Sequence, residues 1–390
     1  MDRRKFVKAG FASATGAIAV SQGFAAATES GAVTRTLGKT GVELPVVSMG
    51  VMNSDNPNLV KAALASGIVH LDTAHVYQRG RNEVMLGEML KDYDRKSFVI
   101  STKIRPDGVD RDTGLPTDEV TPENFMEKFE TSMERLGLEY VDFLYLHAVQ
   151  AGGMVQHKPI SDVMKKLKQQ GRVRFIGVST HRNEPEVIDA MIEDGFWDIV
   201  LTAYNFKMEH VPEMNSALER ANKAGLGVVA MKTMAGGFMD REKTQPIDTS
   251  AALKWALNNP NVHTSIPGMT TFDQLEKNVS VMKDLDMTSE EKSHLEMASA
   301  ETGMFCTGCQ VCLPGCKKNL AVPDYMRAYM YNYGYSDIEK AHTLLADIGD
   351  GANPCGDCND CTVQCTMNFN VRDKIADVSR IADIPGDLLA

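Results

Sequence analysis

The strongest constraint on the fold is an alternation of apolar and amphipathic segments that begins at residue 46. Short runs rich in β-branched residues, apolar on both faces, alternate with segments whose apolar residues recur at the helical period. The predicted strands are 46–50, 68–73, 98–104, 142–149, 174–180, 199–205, 227–234 and 264–268. The predicted helices are 58–66, 82–93, 123–136, 160–170, 184–194, 211–224, 249–258 and 272–282.

Eight such units predict an α/β protein whose parallel strands close into a (β/α)8 TIM barrel. An open doubly wound sheet is the alternative, but it normally places a glycine fingerprint after the first strand. The residues there, Met49-Gly50-Val51-Met52, carry none. All eight cysteines lie beyond a further polar helix predicted at 288–299. We therefore predict a barrel over 34–301 and a second module over 302–390.

The N-terminus predicts export. Adjacent Arg3 and Arg4 precede an apolar, small-residue stretch at 9–20 and the run Ala25-Ala26-Ala27, as in a twin-arginine signal peptide covering 1–27. A basic N-terminal helix is the alternative. The apolar stretch contains Gly, Ser and Thr and is shorter than the roughly 20 residues that span a bilayer, so we predict no stable membrane anchor. The mature protein is expected in the periplasm or another extracytoplasmic compartment.

The net charge of the chain limits the classes of partner that it is expected to bind. Residues 1–27 carry four basic residues and one acidic residue, so their removal takes the formal net charge from −11 to −14. Nucleic acids and anionic membranes bind mainly through Lys and Arg. An acidic chain therefore argues against nucleic acid as a partner.

The cysteines repeat one spacing twice. The two runs are Cys306-x-x-Cys309-x-x-Cys312-x-x-x-Cys316 and Cys355-x-x-Cys358-x-x-Cys361-x-x-x-Cys365. In the bacterial ferredoxin pattern, the fourth cysteine of each run ligates the other cluster. This predicts two [4Fe-4S] clusters, one on Cys306, Cys309, Cys312 and Cys365 and one on Cys355, Cys358, Cys361 and Cys316.

Zinc and disulfides remain alternatives for these cysteines, although neither explains why every spacing repeats. The proline that usually follows the last cysteine is absent, since Lys317 and Thr366 stand there. The segment between the runs is long and predicted to be helical over 324–345. The sequence therefore predicts an expanded, α-helical and loop-rich version of the ferredoxin-like module.

Polar residues end three consecutive predicted strands of the barrel, where barrel enzymes carry their chemistry. These are Asp72, Lys103 and His147, with Tyr77 on the loop after Asp72. A phenol is too weak an acid to protonate a carbonyl oxygen unless a neighbouring cation stabilises its anion. We predict that Tyr77 is the acid, that Lys103 lowers its pKa, that Asp72 orients Lys103 and that His147 hydrogen-bonds the substrate. His70 and His75 are interpreted as core or rim histidines.

The order of these four residues resembles the catalytic tetrad of the aldo-keto reductase superfamily, and the resemblance covers 34 to about 283. Further matches are Asp72-Thr73-Ala74-His75-Val76-Tyr77, Asn82-Glu83 with Gly87, Gly177-Val178-Ser179, Ala230-Met231-Lys232 and Ile266-Pro267-Gly268 with Asn278. Beyond the barrel, the chain resembles the bacterial branch that has a twin-arginine signal and a C-terminal ferredoxin-like 4Fe-4S module.

The resemblance implies a nicotinamide nucleotide, NAD(P)(H). It implies nicotinamide contacts from Ser179 and Thr180, pyrophosphate contacts around Lys232 and Gly268, and adenine contacts from Gln274 and Asn278. Two departures stand out: Leu201 replaces the glutamine that usually holds the carboxamide, and 268–273 has no Arg or Lys to bind a 2′-phosphate. The choice between NAD and NADP therefore stays open.

Together these features predict an exported NAD(P)-dependent oxidoreductase. It would reduce a small aldehyde, ketone or sugar carbonyl, or oxidise the corresponding alcohol, while its clusters exchange electrons with a redox partner protein. The alternative is an iron–sulfur electron-transfer or binding protein whose barrel is not catalytic. The loops expected to select the substrate, 105–119, 148–158 and 236–245, are mixed in character and indicate no particular ligand.

Overall fold

The structure is a computed structural model that describes residues 31–238, 246–300, 306, 308–334, 337–356, 358, 361–366 and 369–385. The predicted signal peptide and residues 239–245 of the last substrate loop lie outside the described residues. The chain divides into two compact units. The first takes in the described residues up to Thr233 together with Ser250–Met287, and the second takes in those of Met234–Thr249 and Thr288–Ala390.

The first unit begins with an antiparallel hairpin of β1, Thr34–Thr36, and β2, Glu43–Pro45, which the sequence pattern did not predict. Eight parallel strands follow. They are β3 Met49–Gly50, β4 His70–Asp72, β5 Val99–Ile104, β6 Val141–Val149, β7 Val173–Thr180, β8 Ile199–Ala203, β9 Gly227–Met231 and β10 Thr264–Ser265. Each pairs with its chain neighbours, and parallel bridges Val47–Ser265 and Gly50–Gly268 join the first strand to the last. The predicted barrel is therefore confirmed over the open sheet.

Eight helices alternate with these strands. They are α1 Pro57–Ala65, α2 Arg81–Leu90, α3 Pro122–Leu136, α4 Lys158–Gln169, α5 Glu184–Asp194, α6 Val211–Lys223, α7 Thr249–Leu257 and α8 Phe272–Lys283. Local sequence explains their ends. Thr121 caps α3 by accepting the Asn124 N–H, and Gly137 ends it in the left-handed conformation.

Apolar side chains fill the barrel at the N-terminal ends of its strands. Leu37 and Leu44 from the hairpin region pack with inward residues such as Phe143, Ile199 and Val229, all of them buried. The N-terminal end of the barrel is therefore closed. Polar inward residues occur toward the C-terminal ends of the strands, which is the end where barrel enzymes have their active sites.

The second unit is helical over most of its described residues. Its helices are α9 Ser289–Ala300, α10 Val322–Tyr329, α11 Ile338–Ile348 and α12 Val371–Ser379. A π-helical turn, Met330–Gly334, interrupts the helix that the sequence predicts over 324–345. Tyr325, Met326 and Val378 form part of its buried core. Across the described residues, no helix combines the length and apolar character needed to cross a membrane.

Candidate active site and cysteine module

A buried ion pair lies at the centre of the barrel site. Lys103 Nζ lies 2.5 Å from Asp72 Oδ2 and donates to the Thr73 carbonyl oxygen at 2.7 Å, and both charged side chains are almost fully buried. Burial lowers the pKa of Lys103, but Asp72 and Tyr77 raise it, and the balance lies above the ordinary value. Lys103 is therefore cationic at neutral pH.

Tyr77 lies beside this pair, at the start of the turn Tyr77–Gly80. Its hydroxyl oxygen is 3.4 Å from Lys103 Nζ. Burial raises the pKa of Tyr77, and the charge of Lys103 offsets only part of that effect, so the pKa lies above 10. The expectation that Lys103 lowers this pKa describes one contribution correctly but not the outcome. At neutral pH the phenol keeps its proton, which is the form that can act as an acid.

The loop that carries Tyr77 is strained and braced. Residues 78–80 all have positive φ, with values of 50°, 56° and 88°, a conformation that costs energy for residues other than glycine. Arg135 of α3 donates to the His75 carbonyl oxygen at 2.9 Å and lies 3.3 Å from the fully buried Glu83 carboxylate. This network from α2 and α3 fixes the loop and, with it, the phenol.

His147 completes the predicted group of four. Its ring meets the Tyr77 ring edge to face, with centroids 5.9 Å apart. Burial and the charges of Lys103 and Arg105 lower the pKa of His147 well below 6.5, so the imidazole is neutral at pH 7. Its Nδ1 is buried and has no hydrogen-bond partner among the described residues. The structure therefore brings all four predicted side chains together in one cluster.

The predicted nucleotide contacts occupy the other half of the barrel mouth. Ser179 and Thr180 end β7, Lys232 follows β9, Gly268 follows β10, and Gln274 and Asn278 lie four residues apart on α8. Ser179 Oγ accepts the Ala148 N–H at 2.9 Å, and Ala148 has a left-handed φ of 56°. The Ser179 hydroxyl can still donate its hydrogen to a carboxamide oxygen, so the site fits the group that the resemblance implies.

Some nucleotide candidates are engaged elsewhere. Thr180 Oγ1 donates to the Arg182 carbonyl oxygen at 2.9 Å, and Gln274 Oε1 accepts the Thr270 N–H at 2.7 Å. Leu201 is fully buried in the apolar interior of the barrel, so it offers the carboxamide no polar contact.

Sequence reasoning missed a polar group beneath Asp72. His70 Nδ1 and Nε2 each lie 3.1 Å from a serine hydroxyl, that of Ser48 and that of Ser101 respectively. Ser101 Oγ in turn donates to Asp72 Oδ1 at 2.6 Å. Alternation along β4, which points His70 and Asp72 to the same side of the strand, is the signal that could have found it. His70 is a core histidine, as interpreted, but one connected to the ion pair.

All eight cysteines are among the described residues and carry free thiols. They surround two cavities. One is lined by Cys306, Cys309, Cys312 and Cys365. The other is lined by Cys316, Cys355, Cys358 and Cys361. Each cavity therefore takes three cysteines from one run and the fourth from the other, which is the crossed arrangement that the spacing predicts.

The arrangement of the thiols bears on which metal centre they could hold. Among the described residues, no three Cys, His, Asp or Glu side chains converge to bind a single metal ion, as zinc would require. Burial raises the pKa of Cys306 and Cys355 and raises that of Cys312 to about 11. Thiols in such surroundings become thiolates when a cationic centre binds them.

Comparison with known families agrees with both sites. The aldo/keto reductase family profile matches residues 48–251, and a 4Fe-4S dicluster domain profile matches residues 305–370. The first match covers just over half of the chain.

The characterised relatives have low sequence identity to this chain, but the alignments cover most of each relative's length. An L-galactose dehydrogenase from Arabidopsis thaliana is 25% identical over 308 residues, covering 68% of this chain and 93% of the relative. An L-glyceraldehyde 3-phosphate reductase from Escherichia coli is 24% identical over 330 residues, covering 68% and 92%. The holo form of an aldo-keto reductase from Bacillus halodurans shares the fold, with a TM-score of 0.54 and 24% identity, over 68% of this chain and 96% of that one.

Proposed function

This chain belongs to the aldo/keto reductase family and carries a 4Fe-4S dicluster domain, and on that premise we propose that it is an exported NAD(P)-dependent reductase of small carbonyl compounds. One observation carries the proposal. Lys103 Nζ lies between the Asp72 carboxylate, at 2.5 Å, and the Tyr77 hydroxyl, at 3.4 Å. A buried cation held against a phenol is the arrangement that proton transfer to a carbonyl oxygen requires.

Reduction of a carbonyl adds hydride to carbon and a proton to oxygen. A bound nicotinamide nucleotide supplies the hydride. Tyr77 Oη donates the proton to the substrate oxygen, and the Lys103 ammonium stabilises the phenolate that remains. Asp72 keeps Lys103 charged and in place. His147, neutral at pH 7, orients the substrate oxygen by hydrogen bonding.

For the nucleotide, we propose Ser179 at the carboxamide, Lys232 and Gly268 at the pyrophosphate, and Asn278 with Gln274 at the adenine. The Thr180 hydroxyl already donates to the Arg182 carbonyl oxygen, so we assign Thr180 no side-chain contact with the nucleotide. The sequence from 268 to 273 has no cation for a 2′-phosphate.

The cysteine module holds two [4Fe-4S] clusters in this proposal, with the crossed ligand sets that line the two cavities. The clusters would exchange electrons with a partner protein. The twin-arginine segment would export the folded chain with its clusters and a bound nucleotide, so that the protein would not depend on a free nucleotide pool outside the cytoplasm.

A second candidate is an iron–sulfur electron-transfer or binding protein with an inactive barrel. Leu201 favours it, since an apolar side chain replaces the carboxamide-binding glutamine. The intact geometry around Lys103 favours the reductase.

The test is to purify the exported protein without oxygen, denature it and identify released nucleotide by mass spectrometry. Turnover of 4-nitrobenzaldehyde with NADH and NADPH is then measured for the native chain, Tyr77→Phe and Tyr93→Phe. Loss of the acid is expected to lower kcat by about 100- to 10,000-fold. Tyr93, a half-buried tyrosine away from Lys103, serves as the matched control. Equal activity of Tyr77→Phe and the native chain would support the electron-transfer candidate instead.

A further inference from the structure

A line of buried polar groups runs beneath the ion pair, and we call Ser48, His70 and Ser101 the His70 path. All three side chains are fully buried. The path joins Ser48 Oγ to His70 Nδ1 at 3.1 Å, His70 Nε2 to Ser101 Oγ at 3.1 Å, and Ser101 Oγ to Asp72 Oδ1 at 2.6 Å. It therefore ends on the carboxylate that holds Lys103.

The direction of every hydrogen bond in the path follows from its end. The Asp72 carboxylate, which pairs with the Lys103 ammonium, can only accept, so Ser101 donates its single hydrogen to Asp72 Oδ1. The Ser101 oxygen is then left to accept from His70, so Nε2 must carry the imidazole hydrogen. Nδ1 must in turn accept from Ser48.

At the start of the path, Ser48 has one hydrogen and two neighbours that could accept it. Thr264 Oγ1 lies 2.9 Å from Ser48 Oγ, but it already donates to the Pro45 carbonyl oxygen at 2.8 Å, so it is paired without Ser48. Donation to His70 pairs Nδ1, which would otherwise be an unpaired buried acceptor, and leaves the Ser48–Thr264 contact without a hydrogen. The ring also packs edge to face on Phe143, with centroids 5.2 Å apart, which restricts its rotation.

The imidazole of His70 is neutral near pH 7. Burial, with a smaller effect of the Lys103 charge, lowers the pKa of His70 to about 3. The imidazole therefore has one donor and one acceptor near neutral pH, as the path requires.

We propose that His70 is a positioning residue for the Asp72–Lys103–Tyr77 group and acts through Ser101. By donating to Ser101, it fixes the serine hydroxyl as a donor to Asp72 Oδ1. With Oδ1 held, the carboxylate cannot turn away from Lys103, and Lys103 stays in reach of Tyr77. A hydroxyl that accepts a hydrogen bond also donates more strongly, so the two contacts support each other. The kinetic consequence rests on the proposed reductase function, whereas the tautomer does not.

The first test needs no turnover. The full chain, purified anaerobically with its clusters, is labelled with ¹⁵N-histidine and its imidazole tautomers are read by NMR, with His70 assigned by its absence from His70→Gln. A single Nε2–H tautomer, unchanged from pH 6 to pH 9, is expected. An Nδ1–H tautomer would overturn the proposal, because Ser101 would then have to donate to His70 and not to Asp72.

The second test uses the reduction of 4-nitrobenzaldehyde. His70→Phe, which retains a ring but no nitrogen, is expected to lower kcat about tenfold with KM changed less than about twofold. Gln can donate to Ser101 and accept from Ser48, so His70→Gln should recover kcat to within about threefold. The double variant His70→Phe/Ser101→Ala should have the same kcat as Ser101→Ala, because His70 acts through that hydroxyl.

Ser132→Ala is the matched control. Ser132 Oγ lies 3.1 Å from His75 Nδ1. This variant therefore also removes a hydrogen bond between a buried serine and a histidine, but one that lies outside the His70 path. Equal losses in Ser132→Ala and His70→Phe, or additive losses in the double variant, would reduce His70 to a packing residue. If the native chain turns over no aldehyde, the proposed function fails while the tautomer still decides the path.

Discussion

In the barrel, the charged side chains beneath the candidate site are paired with other side chains, whereas in the cysteine module the thiols surround cavities. The Lys103 charge is met at 2.5 Å by Asp72, and Asp72 is met at 2.6 Å by Ser101. The eight thiols, by contrast, form no disulfide and line two cavities. The barrel site can therefore assemble from its own residues, while the module depends on a bound group to bring its thiolates together.

The largest effect should come from removing iron. Anaerobic chelation is expected to abolish hydrogen-exchange protection in α10 and α12 and to leave β5 to β7 protected, because only the module uses metal to fold. Both tryptophans, Trp197 and Trp255, lie in the first unit, so their fluorescence should stay native. Equal loss of protection in both units would contradict the comparison.

The next effect concerns the crossed thiol sets. Cys306→Ser/Cys365→Ser removes two ligands from one cavity and should retain about half of the roughly eight iron atoms that two [4Fe-4S] clusters contain. Cys355→Ser/Cys365→Ser affects both cavities and should lose nearly all of them. Iron analysis of anaerobic protein distinguishes the pair. The reverse result would mean that each cluster uses one local run of cysteines.

A smaller effect is expected from Asp72→Asn. It leaves the Lys103 cation buried without its counter-ion, which costs about 3–5 kcal/mol of barrel stability. Urea unfolding followed by tryptophan fluorescence measures this. Asp189→Asn breaks the half-exposed pair with Arg220 and should cost less than about 1 kcal/mol. Similar losses in the two variants would mean that the buried pair is not special.

The smallest effect is a pH dependence. The folded-state pKa of His70 is about 3 against 6.5 for a free histidine, so the unfolded chain binds the extra proton between these values. Stability from this group is complete above pH 6.5 and is lost as the pH falls toward 3. From pH 7 to pH 4.5, the native barrel should lose about 2–3 kcal/mol more than His70→Gln does. Parallel curves for the two proteins would show that His70 is accessible to protons.

The sequence predicted much of the fold and of the candidate site, for identifiable reasons. Parallel strands buried on both faces leave continuous apolar runs, and helices leave a 3.6-residue period, so the eight units were visible. The β1–β2 hairpin was missed because its strands are three residues each. The break at Met330–Gly334 was missed because a π-helical turn retains the composition of a helix.

The sequence was enough to identify candidate site residues at the ends of the strands. It was not enough to predict their pKa values or all of their hydrogen bonds. The sequence suggested that Lys103 lowers the pKa of Tyr77, whereas burial outweighs that contribution and raises it. Ser179 was expected to contact nicotinamide, and nothing in the sequence indicated that its hydroxyl also accepts the N–H of Ala148, a residue with left-handed φ. Such results depend on distances and burial, which a motif does not contain.

The sequence by itself determined the (β/α)8 class, the identity of Asp72, Tyr77, Lys103 and His147, and the duplicated cysteine spacing. Each is a local pattern, fixed by periodicity or by residue order. Only the tertiary structure decided that Ser48, His70 and Ser101 form a path to Asp72. These contacts join residues 22 to 31 positions apart, and chain closure over such distances is set by how strands and helices pack rather than by local sequence.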